Sequence, residues 1–350
     1  MTWTYAELAA ATHFSFLRGA SHPAAMVERA IALGLSGIGI ADRNSVAGVV
    51  RAHRAMKDLV SSPSLLGEDK GFRLVVGARL VFVDGTPDVI AYPRNRHGWG
   101  RLTRLLSTGN LRAEKGDCIL EFSDLLTYSQ DLLLIVLPTS TAEPQRPRRK
   151  TVDYDGLAPA PAEAGKRLVL VPPTVPPSFE ATLRRLAREA PGRVWLGATM
   201  LRRGDDRRRL ARLMGIGAAA GVPLVALNEA YYATPIERPL HDLVTCIRAG
   251  TTITDAGRRL DANAERHLKP PAEMARLFAD CPQAIAATTA LLDHIDFTLD
   301  QLAYEYPHEP VPQHYTPVGW LARLVIKAAR KRYKSRKLPK KVRDNLKEEL

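Results

Sequence analysis

Thr12-His13-Phe14-Ser15-Phe16-Leu17-Arg18-Gly19-Ala20-Ser21-His22-Pro23 follows the short apolar run Leu8-Ala9-Ala10-Ala11 and precedes an amphipathic pattern over residues 24–33. That order reads as a first strand, a loop and a helix, with Gly19 for the turn, Ser21 as N-cap and Pro23 in the first helical turn. Later apolar runs also end in polar residues just ahead of helical patterns. The loop is therefore expected to share one rim with theirs.

Outward from this stretch the alternation continues. Residues 36–42 form a buried-strand pattern ending in Asp42. Asn44 is expected to cap a helix over 45–59 whose apolar side is Val46, Val49, Val50 and Ala52. Strands are expected at 72–78, 87–92, 131–137, 168–171, 194–198 and 224–229, with helices at 99–107, 179–189 and 205–220. Residues 138–166 turn rich in Pro, Ala, Thr and charge and read as a surface insertion, because the βα rhythm resumes after them. About seven strands separated by helices argue for an α/β fold, a parallel sheet or barrel, whose site lies at the carboxyl ends of the strands. After Tyr232 the patterns are helical only: 239–249, 272–281 and 283–295. A proline-broken stretch then leads to a last helix, and a domain boundary is expected near Thr288.

The 350 residues carry a formal net charge of +13 and no apolar run long enough to span a bilayer. The excess is concentrated at the end: residues 321–350 hold twelve Lys or Arg against Asp344, Glu348 and Glu349. A basic excess of this kind favours polyanions, nucleic acid first among them. Cys118, Cys246 and Cys281 are isolated, fit no disulfide framework and suit a cytoplasmic protein. No Walker loop, dinucleotide fingerprint or nucleophile elbow is present, and no histidine pair has metal-ligand spacing. What remains is positional: Asp42 and Glu229 each follow an apolar strand pattern, and His13 lies near the same rim. Read alone, the carboxylates suit capping or ion pairing better than metal ligation, and His13 suits packing.

Several stretches carry more. Residues 13–23 resemble the opening signature of bacterial error-prone DNA polymerases, C-family enzymes related to the replicative polymerase III alpha subunit. Residues 41–53, 239–250, 263–269 and Tyr304-Glu305-Tyr306-Pro307 resemble later blocks of the same family, in order. The resemblance implies a PHP (polymerase and histidinol phosphatase) domain over residues 1–287, a distorted β/α barrel, with 288–350 as the incomplete start of a polymerase palm. It also implies DNA, the rest of the polymerase chain, a sliding clamp and mutagenesis accessory proteins as partners, with no membrane. Mg²⁺ is implied for the intact palm, and no cofactor for this chain.

Active PHP domains of that family place metal ligands at strand ends, where this sequence has Ala9 and Ala11, Arg43 beside Asp42, Arg79, Glu229 and Tyr231. A neutral imidazole replaced by a guanidinium loses a ligand and gains a charge that repels a cation. The expectation is a degenerate, non-catalytic barrel whose arginines pair with Asp42 and Glu229. The rival, an autonomous metal-dependent phosphoesterase or 3′–5′ exonuclease, needs the missing ligands. A third reading is a stand-alone interaction module. No palm aspartates are expected in this chain. Lys327, Arg330, Lys331, Arg332, Lys334, Arg336 and Lys337 are the candidates for nucleic-acid contact.

Overall fold

The computed structural model describes residues 3–60, 71–138, 179–302, 311–334 and 337–349. Its elements are β1 (Ala6–Ala10), α1 (Pro23–Ala32), β2 (Gly37–Arg43), α2 (Val49–Val60), β3 (Arg73–Leu80), β4 (Val89–Pro93), α3 (Arg96–Leu111), α4 (Phe122–Tyr128) and β5 (Leu132–Val136). There follow α5 (Phe179–Glu189), β6 (Val194–Thr199), α6 (Asp206–Ala220), β7 (Leu224–Leu227), α7 (Arg238–Ala249), α8 (Ile253–Ala256), α9 (Pro271–Leu277), α10 (Pro282–Asp293), α11 (Pro317–Arg332) and α12 (Lys340–Glu349).

The described strands pair in sequence order, β1 to β7, in one sheet. Pairing is parallel except on both sides of β4, which runs antiparallel to β3 and β5. The expected β/α barrel of about seven strands is present, and the expected parallel pairing is corrected to a mixed one. The β3–β4 connection is too short for a helical crossover, so the chain can only return as a hairpin. Ala11 N–H donates to the Ala230 carbonyl at 2.9 Å, joining the end of β1 to the segment after β7 and nearly closing a barrel.

Most of the strands are almost wholly buried, and β3 is buried through its centre, which explains why the sequence shows continuous apolar runs rather than alternation. Tyr92 of β4 fills the interior. A Cβ on Gly39 would lie 2.1 Å from its hydroxyl and one on Gly77 2.7 Å from its ring, so glycine on β2 and β3 is what admits it. The Tyr92 hydroxyl donates to the Leu8 carbonyl across the barrel at 2.8 Å.

Three local expectations are corrected. Ser21 is not an N-cap: α1 begins after His22, and the Ser21 hydroxyl instead donates to Glu237 at 2.7 Å and accepts from Ala233 N–H. Asn44, in the left-handed region at φ 46°, does not cap α2; its amide grips the Val81 backbone in both directions. Helix α2 starts at Val49, burying Val49 and Ala52 while leaving Val50 65% exposed. The expected strand at 168–171, and the 138–166 insertion beyond residue 138, lie outside the described residues.

One compact unit runs Met1–Leu302 and a second Ala303–Leu350. The expected boundary near Thr288 falls inside α10, where the buried Thr288 hydroxyl accepts from Ala6 N–H at 3.2 Å. Leu291, Leu292, Ile295 and Phe297 beyond it are buried in the first unit's core. In the second unit, α11 buries none of its residues. No described helix is long and apolar enough to cross a membrane.

Candidate functional site: an ion-pair network at the strand ends

The carboxyl ends of β1, β2, β3 and β7 bring Ala9, Ala11, Asp42, Arg43, Arg79, Glu229 and Tyr231 to one rim. Ala9 and Ala11 are buried and offer no donor atom. Glu229 adopts φ 49°, an uncommon conformation for a non-glycine residue, as the chain leaves β7. Its carboxylate is taken by two arginines. Arg79 Nη1 donates to Glu229 Oε1 at 2.9 Å, and Arg266 Nη1 to Glu229 Oε2 at 3.2 Å. Arg79 Nε donates in turn to Asp88 at 2.8 Å, while Arg266 Nε lies 3.2 Å from Asp261. The Arg266 guanidinium also sits 4.7 Å over the Tyr231 ring, whose other neighbour is His241, stacked at 5.4 Å.

The electrostatics follow from this packing. Burial alone would disfavour the Arg79 charge, but Tyr231, Glu229 and Asp88 outweigh it and hold the group above its ordinary range. Burial would raise Glu229, and the two guanidinium groups reverse that and hold its carboxyl below the usual value. His241 is pushed down to about 4, mainly by burial.

Asp42 is held differently. Its carboxylate accepts from Thr12 N–H at 2.7 Å, Thr12 Oγ1 at 2.8 Å and Ser15 Oγ at 2.7 Å, and burial raises its pKa despite these bonds. The expectation that an arginine would take Asp42 is corrected to hydroxyl and backbone donors of the first loop. Ser15 completes the turn by accepting from Arg43 N–H at 3.0 Å.

His13 is packed between Phe14 and His22, with ring centroids 4.5 and 4.2 Å away. Burial is the main cause of its lowered pKa.

A divalent cation does not fit these residues. Both Asp42 oxygens already accept hydrogen bonds, and Glu229 lies between two guanidinium groups. Among the described residues, no group of three or more His, Cys, Asp or Glu could hold a metal ion.

Sequence reasoning missed Arg266, Asp88, Asp261, Thr12 and Ser15. Arg266 does lie in the quoted run Asn263–Lys269, but nothing in its spacing points to Glu229, 37 residues earlier. The basic candidates Lys327, Arg330, Lys331, Arg332 and Lys334 are in the second unit on or just after α11; Lys337 precedes α12, and Arg336 lies outside the described residues.

The PHP domain family model matches residues 7–167. The chain is 46% identical over 347 residues to the error-prone DNA polymerase of Brucella abortus, a match covering 99% of this chain and 28% of that protein. It is 48% identical over 325 residues to the error-prone DNA polymerase of Rhodopseudomonas palustris strain HaA2, covering 88% of this chain and 27% of the relative. The chain thus spans little more than a quarter of the length of the curated relatives it matches. Among solved structures, a putative metal-dependent phosphoesterase from Bifidobacterium adolescentis is similar at 16% identity and a TM-score of 0.37. That match covers 65% of this chain and 87% of the other.

Proposed function

We propose that this chain is the PHP-containing region of an error-prone DNA polymerase and that its barrel is a non-catalytic scaffold for DNA synthesis by a longer polypeptide. The observation that carries this reading is the Arg79–Glu229–Arg266 network. A hydrolytic PHP centre needs cations to polarise a phosphoryl group and activate water. Here fixed guanidinium charges satisfy the carboxylate that would otherwise attract a cation, and Ala9 and Ala11 supply no ligand. The network instead ties β3, β7 and the 261–266 loop into one rigid end of the barrel, a role suited to supporting a polymerase domain.

The wider activity follows as part of the same proposal. The longer polypeptide would extend a primer during damage-induced, translesion synthesis in the cytoplasm, with palm aspartates and Mg²⁺ outside this chain. The basic residues from Lys327 to Lys337 would contact DNA phosphates, and the palm would begin beyond the first unit.

Metal analysis of protein purified without chelators, paired with a phosphomonoester and single-strand exonuclease assay, tests the scaffold reading. The expected outcome is no stoichiometric zinc, manganese or iron and no hydrolysis above background. Stoichiometric metal that restores hydrolysis after removal and reloading would overturn it.

A further inference from the structure

The first loop carries a feature that the ion-pair network leaves unexplained. The Phe16 side chain is 80% exposed at its tip, on a loop held by bonds from every side. Ser15 Oγ donates to Asp42 at 2.7 Å, Gly19 N–H to the Ser15 carbonyl at 3.1 Å, Ala20 N–H to the Tyr231 carbonyl at 2.8 Å, and Arg248 Nη1 to the Leu17 carbonyl at 3.0 Å. A large aromatic ring is thus presented to water on a fixed backbone, at a standing hydrophobic cost.

Its flanking sequence is cationic, and the two carboxylates that reach the loop, Asp42 and Glu237, are taken up by Thr12, Ser15 and Ser21. Residues 12–23 and 43–57, which form this loop and the start of α2, contain no Asp or Glu. Arg51 and Arg54 on α2 are exposed, one turn apart. The Arg51 guanidinium lies 5.6 Å over Phe14, continuing a row of tilted ring contacts from His22 through His13 to Phe14. An exposed aromatic ring on a preorganised loop, two residues from a half-buried ring covered by an arginine, is what a flexible polyanion with π-faces recognises: bases stack on rings while phosphates meet cations.

We infer that this rim is a platform for single-stranded nucleic acid, with a base stacked on Phe16 and phosphates on Arg51 and Arg54. A protein partner would also cover Phe16, but the acid-free flanks, which carry Arg18, Arg43, Arg51, Arg54 and Lys57, favour the polyanion. The inference rests on the polymerase reading only in taking that strand to be DNA, and it places the contact on the barrel itself rather than on the basic tail.

The test is fluorescence anisotropy of a labelled oligothymidylate with the full 350-residue chain, repeated over a range of salt concentrations. Phe16→Ala should weaken binding about five- to 150-fold, the range of one base–aromatic stack, with the salt slope unchanged. Phe16→Trp should restore it. The double variant Arg51→Ala/Arg54→Ala should flatten the salt slope by about 1.4, two phosphate contacts on a single strand. Circular dichroism should be unchanged for Phe16→Ala, since the removed ring packs against almost nothing.

Wild-type affinity in Phe16→Ala, or loss confined to variants of Lys327, Arg330 and Lys331, overturns the platform while leaving the polymerase reading intact. Loss of self-association without loss of oligonucleotide binding also overturns it, making the loop a protein contact. Absence of any oligonucleotide binding by the native chain overturns it as well. Stoichiometric catalytic metal would sink the scaffold reading and leave these binding outcomes standing.

Discussion

At the scale of single residues, Arg79 decides the character of the rim. It holds Glu229 and Asp88 together from a position where the family resemblance implies a metal ligand in active members. Removing it by Arg79→Ala would leave Glu229 half-neutralised in a buried site. The expected cost is about 3 kcal/mol, the low end for breaking a buried pair, because Arg266 remains. Denaturant melts of the single variant and of Arg79→Leu/Glu229→Leu should separate the two contributions, the double variant recovering much of the loss. A pH dependence follows from the same pair. Glu229 has a folded pKa below its unfolded one, so its contribution is complete above the ordinary glutamate value of about 4.3 and is lost as pH falls through the folded pKa. Glu7 and Asp42, raised by burial, carry the opposite sign: their folded forms hold protons more readily, so acid relieves them. Thermal melts from pH 7 to pH 3 should therefore show a smaller acid loss in the leucine double variant than in the native chain. An equal loss in both would place the acid-sensitive group elsewhere.

At the scale of elements, glycine on β2 and β3 shapes the barrel as much as any apolar side chain does. Gly39→Ala puts a methyl group into the Tyr92 phenol, which is fully buried and anchored to Leu8. Overpacking of this sort costs about 1–3 kcal/mol, and Gly39→Ala/Tyr92→Phe should regain part of it by freeing the space of the hydroxyl. Chemical denaturation of both variants measures this. The β2 run was legible in sequence because a buried strand reads as a continuous apolar stretch. The antiparallel β4 was not, since its local pattern is the same in either direction and only its neighbours set the polarity. The sequence pattern places the start of α2 too early for a related reason. Asn44 has the chemistry of a cap, but the Val81 backbone competes for its amide and wins.

At the scale of the whole molecule, the first unit extends through α10 to Leu302. A chain ending after residue 302 should keep the cooperative thermal transition of the barrel. One ending after residue 287 should lose it, having lost Thr288, Leu291, Leu292, Ile295 and Phe297 from the core. Limited proteolysis and calorimetry of the two truncations check the boundary. A folded 1–287 product would place the boundary near Thr288.

The amino-acid sequence by itself determined the α/β class, the rim and the resemblance to error-prone DNA polymerases, because buried strands, turn residues and block order are local signals. It also determined that Ala9, Ala11 and Arg79 cannot ligate a cation, since that depends on side-chain chemistry alone. Tertiary structure alone decided which partner each charge takes. Arg266 and Asp261 reach the site from a loop more than thirty residues beyond Glu229, and Asp42 goes to Thr12 and Ser15 instead of an arginine. A buried charge must be satisfied by whichever donors the fold brings within about 3 Å, and that juxtaposition exists only once the barrel has nearly closed.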